Sequence, residues 1–264
     1  MKRNRLGALL DKVSPPEGLL LLILAVIIGG GTGFAAVFFI RLIAIIQNRS
    51  YTTIEVLFPH LGIWSYVFVP VAGALLVGPL IAWFAREAKG HGVPEVMQAL
   101  VQRGGRIRPR VAFAKIVASA LCIGTGGSAG REGPIVQVGS ALGSVIGQVL
   151  HLSDVRIRNL VSCGAAAGIA ATFNAPIAGV AFAVEVLMSE LQVLMFGNVV
   201  IAAVSAAIVS QTFLGSRPAF TVPTYTLQSP LALLFYLLLG LASALVGVMF
   251  IQMLAWLEDT FDDW

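Results

Sequence analysis

The sequence predicts an all-α membrane protein, and three observations carry that prediction. Of its 264 residues 58% are hydrophobic and 11% charged, against roughly 25% charged in an ordinary soluble domain. Charge-free runs long enough to cross a hydrocarbon core of about 30 Å, which takes about 20 helical residues, occur at 18–40, 61–85, 133–150, 160–184, 191–216 and 218–257. The short alternating segments of a transmembrane barrel do not occur, which leaves helices. The organisation that follows is a cytoplasmic lead-in over residues 1–17, a membrane domain over 18–257 and an acidic, solvated tail over 258–264.

The formal charge of +4 would suggest a nucleic-acid partner in a soluble chain. Here Lys2, Arg3, Arg5 and Lys12 precede the first span, and by the positive-inside rule they place the N-terminus in the cytoplasm. No nucleic-acid partner is expected. Cys122 and Cys163 lie in apolar surroundings without metal-like spacing and read as small buried residues. No secretory signal peptide is recognisable, because the first apolar run is long and lacks a small-residue cleavage site.

The elements follow in order. Ser14 to Glu17 make a turn and a helix start. The first span, about 18–47, carries Gly29, Gly30, Gly31 and Gly33, which permit close helix packing in a membrane. Residues 48–60, polar and containing Pro59, read as a loop, and the second span runs over about 61–86, where Pro70, Gly73, Gly78 and Pro79 would bend or unwind it. Gly90, Gly92 and Pro94 then break the helix, and Pro94 with Glu95 starts a short new one. A helix starting inside a membrane protein offers amides without intrahelical partners and a positive dipole end, which suits an anion. Arg103, Arg106, Arg108, Arg110 and Lys115 form a basic cluster, read as a cytoplasmic loop. An apolar helix over about 111–123 leads into a glycine-rich stretch from Gly124 to Gly139.

That stretch holds Arg131 and Glu132 in surroundings otherwise almost empty of charge. An acidic side chain at mid-bilayer costs about 2.5–3.5 kcal/mol on insertion scales, so a chain that keeps one there places it in a protected or wet cavity. Glu132 is therefore the expected functional centre. Pro134 opens the next helix, so two broken helices point their N-termini at one place, as transporters do around an ion site. Asn174 and Pro176 divide the alanine- and glycine-rich run that follows into helices of about 156–174 and 177–187. A span at about 193–214, a turn-rich loop from Gly215 to Pro230 and a long helix over about 230–257 complete the chain.

Soluble chemistry is excluded motif by motif. Gly124, Gly126 and Ala129 satisfy a loose dinucleotide fingerprint, but they follow a helix and no acidic residue lies about 20 positions on. No phosphate-binding loop ends in Gly-Lys-Ser/Thr. His60, His91 and His151 are scattered and form no metal set. No catalytic residues, cofactor or metal are expected, and the chain does not read as an enzyme.

Gly90-His91-Gly92-Val93-Pro94-Glu95 resembles the GSGIP segment of CLC chloride channels and chloride/proton antiporters, and Gly130-Arg131-Glu132-Gly133-Pro134 is identical to their GREGP segment. The block AAAGIAATFNAPIAGVAFAVEVL resembles a third family segment. The resemblance covers about residues 15–260. It implies a bundle of tilted and broken helices, of which this chain would hold the first half of an inverted repeat plus one further helix. It also implies a chloride or other small-anion pathway, contact with membrane lipid, and a homodimer whose interface we expect on helices over about 177–214.

By the same resemblance, Glu132 matches the gating glutamate, whose carboxylate competes with chloride and swings aside or is protonated. The implied anion-binding residues are His91, Gly92, Val93, Arg131, Glu132 and Gly133. His91 departs from the family serine. A neutral imidazole still donates one N–H, and a protonated one adds charge. Glu132 and Glu185 are the candidate proton path, but the family's second adjacent glutamate is here Val186, which cannot relay a proton and argues for passive or uncoupled transport. The family's second half supplies further amides and a tyrosine, so a fragment or truncated product is expected. Two alternatives stay open: a non-conducting membrane scaffold or assembly partner, and a proton-coupled antiporter for another anion such as fluoride. A bacterial plasma membrane is the expected location.

Overall fold

The structure, a computed structural model, describes residues 17–84, 90, 92–187, 193–216 and 229–262. The chain divides into two units, Met1–Phe220 and Thr221–Trp264. The basic lead-in before Glu17, His91 and most of the loop expected between Gly215 and Pro230 lie outside the described residues.

The first unit is built from helices. α1 (Glu17–Leu57) holds 41 residues, about 60 Å at 1.5 Å per residue, twice the apolar thickness of a bilayer. The loop expected over 48–60 is therefore mostly helical. Residues 48–57 are polar but contain neither glycine nor proline, so nothing stops the ladder until Phe58. A 3-10 helix (Pro59–Trp64) then carries Gly62 at φ 49°. α2 (Ser65–Phe84) continues through Pro70 and Pro79, so the expected unwinding does not occur.

α3 (Val93–Gln102) starts with Pro94 in its first turn, as predicted, and α4 (Pro109–Gly124) starts on Pro109. The basic cluster is thus split. Arg103, Arg106 and Arg108 occupy the connection, whereas Arg110 and Lys115 are helical, and Lys115 is buried. The reading of Lys115 as a loop residue is corrected, because Pro109 begins a helix that carries the lysine inward. α5 (Glu132–Val149) and α6 (Asp154–Phe173) follow, and α6 ends on Asn174 in the left-handed conformation at φ 55°. Asparagine tolerates that conformation at a helix end. α7 (Pro176–Phe182) passes into a π-helical turn, Ala183–Leu187, and α8 (Val193–Leu214) ends the unit's described helices.

The second unit contains α9 (Ala232–Asp262). The helix expected to stop near residue 257 runs on through Glu258 and Asp259, since no glycine or proline interrupts it. Among the described residues, four helical stretches are long and apolar enough to cross a membrane, Gly18–Leu57, Gly62–Trp83, Met195–Leu214 and Ala232–Phe261.

α6 is buried along nearly its whole length and packs on α1, α5, α7 and α8. Its contact with α5 is made by backbone. A Cβ added at Gly139, Gly143, Gly164 or Gly168 would run into the main chain of the facing helix. Both helices thus present glycines four residues apart, the spacing that lets membrane helices touch. α1 meets α8 in the same way, with Gly29 against Ala202 and Gly33 against Ala206. Gly164→Leu is accordingly expected to destabilise the domain by about 3 kcal/mol, the upper range for overpacking a filled core, read as a lower unfolding temperature in detergent.

Candidate functional site

The approach to Glu132 is pinned on both sides. Thr125 closes α4 with its hydroxyl donating to the Leu121 carbonyl at 2.7 Å, while the Tyr51 hydroxyl donates to the Thr125 carbonyl at 3.3 Å. Gly126 takes φ 100° and lies against Tyr51 and Pro70. The Gly127 amide returns to the Cys122 carbonyl at 2.8 Å. From this turn α5 begins, with Arg131 as its N-cap and Glu132 as its first residue. First-turn amides have no carbonyl four residues back, and they carry the positive end of the dipole. The Glu132 carboxylate folds back over Gly130, in the space a Cβ there would fill.

A second helix start meets the first. Gly90 and Gly92 have φ 101° and 98°, a region costly for any side chain, and Gly92 lies directly on the backbone of Gly133. The N-termini of α3 and α5 therefore converge, as the two glycine breaks predict. The Gly92 amide, however, donates to the Glu95 Oε2 at 2.8 Å, so a carboxylate of the chain already holds that end of α3. Lys115 reaches the same corner from α4, donating from Nζ to the Gly90 carbonyl at 2.6 Å.

Three cavities surround these groups. One of about 530 Å³ is lined by Gly90, Val93, Lys115, Cys122, Glu132 and Gly133 among others. One of about 330 Å³ is lined by Ile40, Ile43, Arg131, Glu132 and Phe173 among others. Glu132 lines both. A third, of about 210 Å³, lies beside Glu95, Arg103, Arg106, Arg108 and Gln137, where Arg106 pairs with Asp154 at 2.8 Å.

Of the residues expected from sequence, Gly92, Val93, Arg131, Glu132 and Gly133 are brought together, and His91 lies outside the described residues. Glu185 is exposed on the π-helical turn and lines none of these three cavities. Sequence reading missed two residues. Lys115 follows the arginine cluster in sequence, and Cys122, expected to be buried, is half-buried and lines the larger cavity. The missed signal is periodic: Lys115, Ala118, Ser119, Cys122 and Ile123 fall on one helical stripe, and all five line that cavity.

A family model described as voltage gated chloride channel matches residues 73–264. A putative chloride channel protein ClcB-like from Ralstonia nicotianae is 34% identical over 188 residues, covering 70% of this chain and 44% of that protein. The H(+)/Cl(-) exchange transporter ClcA of Yersinia pseudotuberculosis is 33% identical over 271 residues, 98% of this chain and 55% of the relative. Among solved structures, a slow cyanobacterial Cl-/H+ antiporter superposes with a TM-score of 0.76 at 25% identity, over 86% of this chain and 54% of that one. A CLC-type fluoride/proton antiporter gives 0.71 at 26% identity, over 87% and 55%. The chain spans about half the length of these relatives.

Proposed function

The chain belongs to the CLC family of voltage-gated chloride channels and their antiporter relatives, and from that premise we infer that it forms a small-anion route, chloride first, gated by the Glu132 carboxylate. The observation that supports this most directly is the position of Glu132 on the walls of both the 530 Å³ and the 330 Å³ cavities. A carboxylate at a helix N-terminus satisfies the same amides and dipole that an anion would. While it stays, it blocks passage between the cavities, and when it leaves, an anion takes its place. The backbone of Val93 and Gly133 and the Arg131 side chain complete the anion's surroundings, and the Gly92 amide joins them only on release from Glu95. The protein sits in the cell membrane with its N-terminus in the cytoplasm, and it pairs as a homodimer through α7 and α8, whose exposed apolar residues include Ile177, Phe196, Val204 and Ile208.

The test is chloride efflux from liposomes carrying this chain, beside Glu132→Ala and Glu132→Gln. Efflux that the substitutions alter supports the gate. Efflux identical in all three removes Glu132 from the route, and no efflux at all leaves the scaffold reading in its place. Fluoride is measured in parallel, because a fluoride/proton antiporter is among the structural neighbours.

Proton coupling is a separate prediction. Val186 offers no titratable group beside Glu185, and Glu185 lines neither of the two cavities that Glu132 lines. Chloride is therefore expected to move down its gradient with no stoichiometric uphill proton movement, followed by a pH electrode in lightly buffered liposome suspension. Uphill proton pumping under a chloride gradient would show that a coupled path exists.

A further inference from the structure

The cavity of about 210 Å³ shares no lining residue with the two that Glu132 lines, so the gate leaves it unused. It lies where α3 stops and α4 starts. Arg103, the C-cap of α3, stands on its wall with Arg106 and Arg108, all three exposed, and Arg110, Arg156 and Arg158 lie on the adjoining starts of α4 and α6. The carboxylates beside them are engaged. Glu95 accepts from the Gly92 amide at 2.8 Å, and Asp154 holds Arg106 at 2.8 Å in a pair about half exposed, a kind that contributes little. We propose that this cavity seats the headgroup phosphate of an anionic phospholipid, gripped by Arg103 and Arg106, with the acyl chains lying along the exposed Val101 and Phe113.

The loop that carries these arginines is fixed to the bundle. Ser144 of α5, fully buried, donates to the Gly105 carbonyl at 2.6 Å and accepts from the Ile107 amide at 2.8 Å. Gln148 donates to the Ile107 carbonyl at 3.0 Å, and the Gly105 amide returns to the Ala99 carbonyl at 2.8 Å. Gly104 and Gly105, at φ 59° and 81°, bring this loop against Asp154 and Ile157 of α6. A backbone held in this way leaves less freedom to lose on binding, and a guanidinium presents the planar fork that a phosphate accepts from two sides. The apolar flank decides for a lipid over a free phosphate. Val101 and Phe113 are 79% and 67% exposed on α3 and α4, next to the arginines, so a ligand with both charge and hydrocarbon covers both. Arginine-rich ends of membrane helices face the cytoplasmic leaflet, and basic pockets between helices on that side take anionic headgroups.

The test needs no ion flux, so it stands whether or not Glu132 is a gate. The purified chain in detergent is titrated with dioleoylphosphatidylglycerol or dioleoylphosphatidylcholine, and the lipid-bound fraction is read by native mass spectrometry. The anionic lipid is expected to bind more tightly than the zwitterionic one, and Arg103→Gln and Arg106→Gln each to weaken it about fivefold, the effect of one basic residue at a membrane surface. Asp154→Asn, which frees Arg106 from its carboxylate, should tighten it by about twofold or more, and it carries the test if Arg106→Gln does not fold. Arg49→Gln, towards the C-terminal end of α1, removes the same charge elsewhere and should leave binding unchanged. Equal affinity for the two lipids overturns the site, as does affinity for the anionic lipid unmoved by Arg103→Gln. A loss as large in Arg49→Gln overturns it too, because net charge alone would then account for binding. Inorganic phosphate that displaces the lipid at the lipid's own concentration would mark a free-phosphate site in its place.

Discussion

Chloride efflux through Glu132→Ala is expected to run at least as fast as through the wild-type chain and to half-saturate at about tenfold lower chloride. The reason is competition. In the wild-type protein the carboxylate occupies the space over Gly130 at the start of α5, and on the proposed gate its charge would repel an arriving anion there. Two unit charges about 8 Å apart interact by about 1–2 kcal/mol at an effective dielectric of 20–40, and 1.4 kcal/mol is a factor of ten in affinity. Glu132→Gln keeps the shape and removes the charge, so it should raise affinity while leaving a residual steric brake on rate. Half-saturation measured over a chloride series in liposomes checks both. Affinity unchanged in Glu132→Ala would mean that the carboxylate and the anion do not share a site.

Gly92→Ala is expected to cut efflux at least tenfold with helical content unchanged. Gly92 stands at φ 98°, where a residue with a Cβ carries about 1–3 kcal/mol of backbone strain. The added Cβ also meets the Gly133 main chain, which cannot rotate away as a side-chain tip can. The starts of α3 and α5 must therefore part, and they are the two ends that converge on the larger cavity. Gly30→Ala is the matched control. That position has open space around it and lies within α1, so alanine should leave efflux unaltered. Efflux measured at equal protein-to-lipid ratio, with circular dichroism alongside, separates a local effect from misfolding.

The helix starts were legible because glycine and proline punctuate the sequence where the chain breaks, at 90–94, 124–134 and 174–176. Glu132 stood out for a physical reason as well, as a charge in a run that otherwise avoids charge. The tail of α1 was not legible. Residues 48–57 are largely polar, a composition that predicts a loop, yet polar residues propagate a helix well until something stops it. Lys115 was obscured by its neighbours, since four arginines within a dozen residues suggest a solvated stretch. Only the spacing of Lys115, Ser119 and Cys122 on one face distinguishes a lysine that turns inward. The engagement of Gly92 by Glu95 was half visible, because a glutamate three residues after a helix cap commonly turns back to it.

The glycine crossings of α1 with α8 and of α5 with α6 have a consequence for timing. Helices in main-chain contact have no side chains between them whose rotation could let one slide, so any relative movement must first pull the backbones apart. The scaffold around Glu132 is accordingly stiff along its length, and the adaptable parts are side chains at the helix ends. Rotamer changes of accessible side chains take picoseconds to nanoseconds, whereas collective helix movements take microseconds to milliseconds. Transport carried, on the proposed gate, by a single carboxylate swinging in a rigid frame should therefore depend weakly on temperature, and on the fluidity of the surrounding lipid hardly at all.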